Sequence, residues 1–99
     1  MRCKSFDSFF INFANKTRLS IILLLREKPL SVTEITAGLK EEQSKISHNL
    51  RKLTQCNILS VEQKGKQRIY SLNKQTVLPM LDLVENHVKN HCCLGCKKK

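Results

Sequence analysis

The 99-residue sequence lacks an apolar run that approaches the roughly 18–20 residues of a membrane span. Its longest run, Ile21 to Leu25, ends at charged Arg26. The first residues contain no segment that resembles the apolar region of a signal peptide. Five cysteines, an odd number without such a signal, argue against a secreted disulfide framework and for reduced thiols. We therefore expect a cytoplasmic protein with no membrane partner.

The sequence also lacks the usual residue patterns of an enzyme. Its three glycines, Gly38, Gly65 and Gly95, do not form a phosphate-binding loop. There are no paired acid/base carboxylates and no nucleophile–base arrangement. With 40% hydrophobic residues the chain is not a disordered polycation. A domain this short buries only about 60–65% of its unfolded surface, so a second copy that buries more apolar area is expected.

The charge is strongly positive and unevenly distributed. Eighteen Lys and Arg residues stand against eight Asp and Glu, a formal net charge of +10. Residues 43–72 contain six basic residues and only one acidic residue, Glu62, and no acid lies between Gln43 and Gln55. Such a surface suits a polyphosphate, because Lys and Arg release condensed counterions when they bind one. A solvated basic face is the alternative interpretation.

Periodicity predicts three helices in the first part of the chain. Phenylalanines at three- and four-residue spacing predict a helix over about residues 4–14, used for core or dimer packing. Asn15 suits the N-cap of a second helix that ends before Pro29. Ser31 and Glu34 fit a capping box that starts a short third helix, which ends near Gly38.

A basic helix and a hairpin follow. Ile46, Leu50 and Leu53 form one narrow apolar stripe, and Asn57 fits the left-handed residue that ends this helix. Residues 58–63 and 67–72 read as strands around Lys64-Gly65-Lys66, where Gly65 supplies the positive φ of a tight turn. A last helix begins near Thr76 and carries an apolar seam for a helix-pair interface, made of Val77, Leu81, Val84, Val88 and His91.

This order of elements predicts a mainly α fold with a small β-hairpin wing, a winged helix-turn-helix that dimerises through its first and last helices. We expect residues 1–91 to form the DNA-binding and dimerisation domain and residues 92–99 to form a tail rich in cysteine and lysine. In this fold the basic helix enters the major groove of double-stranded DNA. The wing then sets Lys64, Lys66 and Arg68 against phosphates or the minor groove.

The sequence resembles the ArsR/SmtB family of small dimeric winged-helix repressors over about residues 5–90. The resemblance lies in Asn15-Lys16-Thr17-Arg18-Leu19, in Gln43 through Leu50, in Leu53 through Leu59, and in the wing from Gly65 to Ile69-Tyr70-Ser71-Leu72. It implies a homodimeric, sequence-specific DNA-binding repressor that is not an enzyme. It also implies base contacts from Gln43, Ser44, Ser47 and His48, and phosphate contacts from Lys45, Arg51 and Lys52.

Two metal sites common in that family are not reproduced. Ser31 and Thr33 stand where relatives carry a Cys-x-Cys pair at the start of the third helix. Asp82, Glu85, His87 and His91 are available on the last helix, but their spacing does not match the family's zinc site.

The tail offers a different set of ligands: Cys92, Cys93, Cys96 and His91. Three thiolates suit trivalent arsenic or antimony, and three thiolates with one imidazole suit zinc. DNA binding itself requires no cofactor, and a soft ion such as arsenite or zinc is expected to release the protein from DNA. A redox disulfide switch, a purely structural zinc clip and a tail without a specific role are the alternatives. Cys56 is expected to be a core thiol, and a role for Cys3 in the tail site is left open.

Overall fold

The computed structural model describes residues 5–92. The helices are α1 (Phe6–Ala14), α2 (Lys16–Glu27), α3 (Val32–Leu39), α4 (Gln43–Gln55) and α5 (Val77–His87), and α5 continues into a π-helical turn, Val88–Cys92. The strands are β1 (Leu30–Ser31), β2 (Leu59–Lys64) and β3 (Gln67–Leu72). This architecture confirms the predicted mainly α, winged helix-turn-helix fold.

The helices begin where the capping residues predict. Asn15 Oδ1 accepts a hydrogen bond from the backbone N–H of Arg18 at 3.0 Å and caps α2. At the start of α3, Ser31 Oγ accepts from the Glu34 N–H at 3.2 Å, and Glu34 Oε1 accepts from the Ser31 N–H at 2.9 Å. Both halves of the predicted capping box are therefore present. Thr76 is the N-cap residue of α5, as expected.

The short helix α3 ends near Gly38, as predicted. It continues one residue further, to Leu39, and ends because Lys40 adopts a left-handed conformation with φ 57°. Gly38 is an exposed residue inside this helix. Asn57 has the predicted left-handed backbone, with φ 60°, immediately after α4.

The sheet contains one strand more than the sequence indicated. Its order is β1-β3-β2, all antiparallel, with Leu30 opposite Tyr70 and Leu59 opposite Leu72. β1 has two residues, too few to show the alternation by which a strand is recognised. The wing turn is tight because Lys64 pairs with Gln67, and Gly65 has the positive φ, 63°, that a two-residue turn needs.

The core lies between the helices and the inner face of the sheet. Its fully buried side chains include Ile21, Ile22, Ile35, Ile46, Leu50, Leu53 and Ile58. Phe9 and Phe13 pack against this core, whereas Phe6 is 86% exposed. The predicted seam of α5 is divided: Val77 and Leu81 are buried in the chain's own core, while Val84 and Val88 are exposed. Within residues 5–92, no helix is long and apolar enough to cross a membrane.

Candidate nucleic-acid interface

The helix α4 has one buried apolar face and one exposed polar and basic face. Ile46, Leu50 and Leu53 are completely buried and fix the helix to the core. The remaining face carries the side chains predicted to contact DNA: Gln43, Ser44, Lys45, Ser47, His48 and Arg51 are exposed, and Lys52 is half-buried. Polar and basic groups therefore face solvent along the whole helix, with α3 packed beside it in the helix-turn-helix arrangement.

The wing brings its basic residues next to α4. Lys64, Lys66 and Arg68 are all exposed. The turn is fixed by Gln63, whose Nε2 donates a hydrogen bond to the Gly65 carbonyl at 3.0 Å. Since Gly65 lies at the tip of the hairpin, this bond stabilises the turn backbone between the two lysines.

Two clefts lie between α4 and the wing. One, of about 390 Å³, is lined by Gln43 from α4 and by Lys66 and Arg68 from the wing. The other, of about 360 Å³, is lined by Ser47 and Arg51 from α4 and by Arg68. Arg68 lines both clefts, so the structure brings Gln43, Ser47, Arg51, Lys66 and Arg68 together between α4 and the wing.

Lys45 makes a contact that the sequence analysis missed. Its Nζ lies 3.2 Å from Oε1 of Glu41, one helical turn earlier. The i,i+4 spacing of Glu41 and Lys45 in the sequence is the signal that could have predicted this ion pair. Because both side chains are partly exposed, the ion pair is weak.

A buried polar network behind α4 was also missed. Arg18 Nε donates to Asn49 Oδ1 at 3.0 Å, and Arg18 Nη1 donates to Asn12 Oδ1 at 3.0 Å. Asn12 and Asn49 are both buried, and they come from α1 and α4. The three residues lie up to 37 positions apart, so no local spacing reveals their contact.

At the other end of the molecule, α5 is joined to α2 by ion pairs. Arg26 Nη2 lies 2.6 Å from Asp82 Oδ1 and 2.7 Å from Glu85 Oε1. Hydrogen bonding to the guanidinium lowers the pKa of Glu85. The two carboxylates are therefore engaged with Arg26, while the His87 and His91 rings contact each other with centroids 4.8 Å apart.

The predicted tail site falls largely outside the structure. Cys93, Cys96 and the side chain of Cys92 lie outside the described residues, and His91 is exposed on the final π-helical turn. In the part of the chain that the structure covers, no group of three His, Cys, Asp or Glu side chains is placed to hold a metal ion.

Cys56 corrects one expectation. It is half-buried at the end of α4, packs against the core and lies 3.6 Å from Asn12 Nδ2. It is disulfide-bonded, so it is not the free core thiol that was expected. The expectation of a reduced thiol is therefore wrong at this position, where the half-buried sulfur is accessible to a second cysteine.

The folded surface, a recognition helix beside a basic wing, defines a winged helix-turn-helix DNA-binding domain. The family model described as "Bacterial regulatory protein, arsR family" matches residues 15–61. The regulator NmtR of Mycobacterium tuberculosis is 35% identical over 82 residues, which are 83% of this chain and 68% of NmtR. The chain belongs to the arsR family of bacterial regulatory proteins and is a DNA-binding transcriptional regulator.

Two further likenesses extend over more of the chain. The arsenical resistance operon repressor of Bacillus subtilis is 28% identical over 96 residues, 96% of this chain and 86% of that protein. The homodimeric winged helix-turn-helix domain of Mb0332 from Mycobacterium bovis has a TM-score of 0.81 at 20% identity, covering 94% of this chain and 86% of that one. The second likeness concerns the fold alone. The curated relatives are regulators and not enzymes.

Proposed function

We propose that this protein is a homodimeric, sequence-specific transcriptional repressor that acts in the cytoplasm. The observation that carries this proposal is the outer face of α4, which is polar or basic along its length and has no acidic residue from Gln43 to Gln55. A helix of this kind beside a basic wing matches the electrostatic and steric requirements of the DNA major groove.

The side chains of this surface divide by chemistry. Hydroxyl, amide and imidazole groups exchange hydrogen bonds with base edges, and Lys and Arg side chains neutralise phosphates. We assign base contacts to Gln43, Ser44, Ser47 and His48. We assign backbone contacts to Lys45, Arg51, Lys52, Lys64, Lys66 and Arg68.

Exposed apolar side chains support a dimer through α1 and α5. Phe6 is 86% exposed, Ile11 61% and Leu83 70%. Large apolar groups on two helices favour burial against a second copy. The solved Mb0332 domain, which shares this fold, is homodimeric. A two-fold dimer presents two α4 helices to a palindromic operator.

Release from DNA is assigned to the tail. Cys92, Cys93 and Cys96, with His91, supply soft ligands immediately after α5, and three thiolates suit a trivalent metalloid such as arsenite, whereas zinc also accepts the imidazole. The relationship to an arsenical resistance operon repressor supports this choice of ion. Because the ligands adjoin the dimer helix, the ion acts by favouring a dimer with lower affinity for the operator.

The test is fluorescence anisotropy of DNA from upstream of the protein's own gene, titrated with protein and then with arsenite or zinc. The wild-type protein binds this DNA at moderate salt and is released by one of the ions. The triple variant Cys92→Ser, Cys93→Ser, Cys96→Ser binds equally well but no longer responds. If the ion response survives the triple substitution, the proposed sensor is wrong, while DNA binding stands as a separate result.

A redox-responsive regulator is the second candidate, favoured by the disulfide at Cys56. Its sulfur contacts Asn12, which is hydrogen-bonded through Arg18 to α4. In this case a thiol reductant changes operator affinity without any metal, and Cys56→Ser removes the response.

A structural zinc clip at the tail would instead make chelation lower Tm without changing operator occupancy.

A further inference from the structure

Three helices meet at one half-buried arginine. Asn12 of α1 is 2% exposed and Asn49 of α4 is 6% exposed. Arg18 of α2 lies between them and donates one hydrogen bond to each Oδ1 oxygen, both at 3.0 Å. We call these three residues the asparagine–arginine bridge.

The bridge is geometrically rigid. Each asparagine also donates its amide N–H groups to carbonyls of its own helix: Asn12 to Ser8 and Phe9 at 3.2 and 3.1 Å, and Asn49 to Lys45 at 2.9 Å. Both amides are therefore held in one orientation, which also fixes the assignment of oxygen and nitrogen. The planar guanidinium then sets the distance and angle between the two oxygens.

The bridge is not expected to add much to the free energy of unfolding. Arg18 carries a charge into a half-buried position and meets neutral amide oxygens there, and no carboxylate pairs with it among residues 5–92. Apolar side chains of similar volume commonly stabilise a protein as well as, or better than, a buried polar cluster. The bridge instead fixes the distance and angle between α1 and α4.

The bridge joins α4, which carries the proposed DNA contacts, to α1, which carries part of the proposed dimer surface. The bridge ends at Asn49, which lies on the inner face of α4 directly after His48, whose side chain is exposed on the outer face. Its other end is Asn12 of α1, the helix whose exposed Phe6, Phe10 and Ile11 are available to a second copy. No residue of the bridge belongs to the surface assigned to DNA.

We infer that Asn12, Arg18 and Asn49 are positioning residues that set the orientation of α4 relative to α1. A change in the packing of α1 against the second subunit then changes the orientation in which α4 meets DNA. This inference rests on the proposed function, since it describes how the two helices of that function are coupled. It requires two packings of α1 that differ in their affinity for DNA.

The first test measures amide hydrogen exchange of the free full-length protein, without DNA. In Arg18→Met, the amides of α4 are expected to exchange at least about fivefold faster relative to those of β3, because the hydrogen bonds that hold α4 to α1 are lost. Thr36→Val is the matched control, since it removes a buried hydroxyl that has no hydrogen-bond partner in the described chain. Its α4-to-β3 ratio stays unchanged.

Equal acceleration of α4 and β3 in Arg18→Met indicates only a general loss of stability and overturns the inference, as does no change in either element. If the methionine variant fails to fold, Arg18→Lys decides the question. Lysine keeps the charge but has no planar fork to span both oxygens, so the α4 amides still exchange selectively faster.

The second test measures DNA affinity of Asn12→Leu, which changes neither the charge nor the DNA surface. Operator affinity is expected to fall about tenfold, with the same slope against salt, because no phosphate contact is lost. An affinity within twofold of the wild type overturns the inference. If the wild-type protein itself does not bind its upstream DNA, the proposed function fails, whereas the exchange measurement still tests the bridge.

Discussion

Arg26 of α2 donates a hydrogen bond from Nη2 to Asp82 of α5, with 2.6 Å between nitrogen and oxygen, and the same nitrogen lies 2.7 Å from Glu85. The helix that precedes the helix-turn-helix is thus joined to the helix that precedes the cysteine tail. Since α5 also carries the exposed Leu83 and Val84, the ion pairs fix a helix that we assign to the proposed dimer interface.

Glu85 makes this junction sensitive to acid. Its hydrogen bond with Arg26 lowers the pKa of the carboxyl below the ordinary value of 4.5. A lowered pKa in the folded state means that the charged carboxylate stabilises the fold above pH 4.5 and that this contribution is lost as the pH falls through the lowered value. Glu85→Gln therefore reduces the urea midpoint at neutral pH, and the difference from wild type shrinks at a pH well below 4.5.

Glu27→Gln is the control for that comparison, because Glu27 is an exposed carboxylate on α2 for which the described chain shows no ion pair. It leaves the urea midpoint nearly unchanged at both pH values. A Glu85→Gln effect that persists at acid pH would contradict the role given to the ion pair.

Glu41 limits the contribution of Lys45 to DNA binding. In Glu41→Gln, Lys45 has no carboxylate at 3.2 Å and releases an additional counterion when it binds a phosphate. The plot of log affinity against log salt for a nonspecific duplex is expected to steepen by about one unit. Glu42→Gln changes the net charge equally but does not contact Lys45 in the described structure, so its slope stays near that of the wild type. Equal slopes in both variants would argue against release of Lys45.

Alanine is expected to affect stability differently at Gly65, in the wing turn, and at Gly38, inside α3. Gly65 has φ 63°, so Gly65→Ala strains the wing turn and lowers stability by about 1 kcal/mol. Gly38 lies inside α3, where alanine is the better helix former, although its Cβ would meet Leu24 Cδ2 at 3.3 Å. Because that methyl group ends a flexible side chain, Gly38→Ala is neutral or stabilising. Thermal unfolding of both variants measures the signs, and the same sign for both would refute this account.

Leu83 tests the dimer. Its side chain is 70% exposed in the single chain, so Leu83→Glu places a charge in the proposed interface and shifts the protein towards monomer. Sedimentation equilibrium measures the change, and operator affinity falls with it. Val61→Glu is the control for the sedimentation measurement alone, since Val61 is an exposed aliphatic residue on the wing, away from α1 and α5, but lines the cleft between the wing and α4. A Leu83→Glu protein that dimerises like the wild type would exclude α5 from the interface.

The sequence predicts local features of this fold well, because their causes are local. The capping box of Ser31 and Glu34, the left-handed Asn57 and the apolar stripe of α4 each depend on residues within two helical turns. The strand β1 was missed because its two residues become a strand only through pairing with β3.

Side-chain contacts over long sequence distances account for the rest. The contact of Arg18 with Asn49 and that of Arg26 with Asp82 join residues 31 and 56 positions apart. Neither arginine differs in its local sequence from an ordinary surface cation. Arg18 lies within the Asn15–Leu19 segment that suggested the family, yet that resemblance says nothing about its partners.

The position of β2 at the outside of the sheet has a consequence for the concentrated protein. A strand edge is a template on which further strands assemble, and apolar edges promote aggregation. In β2, Leu59 alone is buried, and Glu62 and Lys64 place charges of both signs along the strand. These charges oppose the addition of a further strand at this edge.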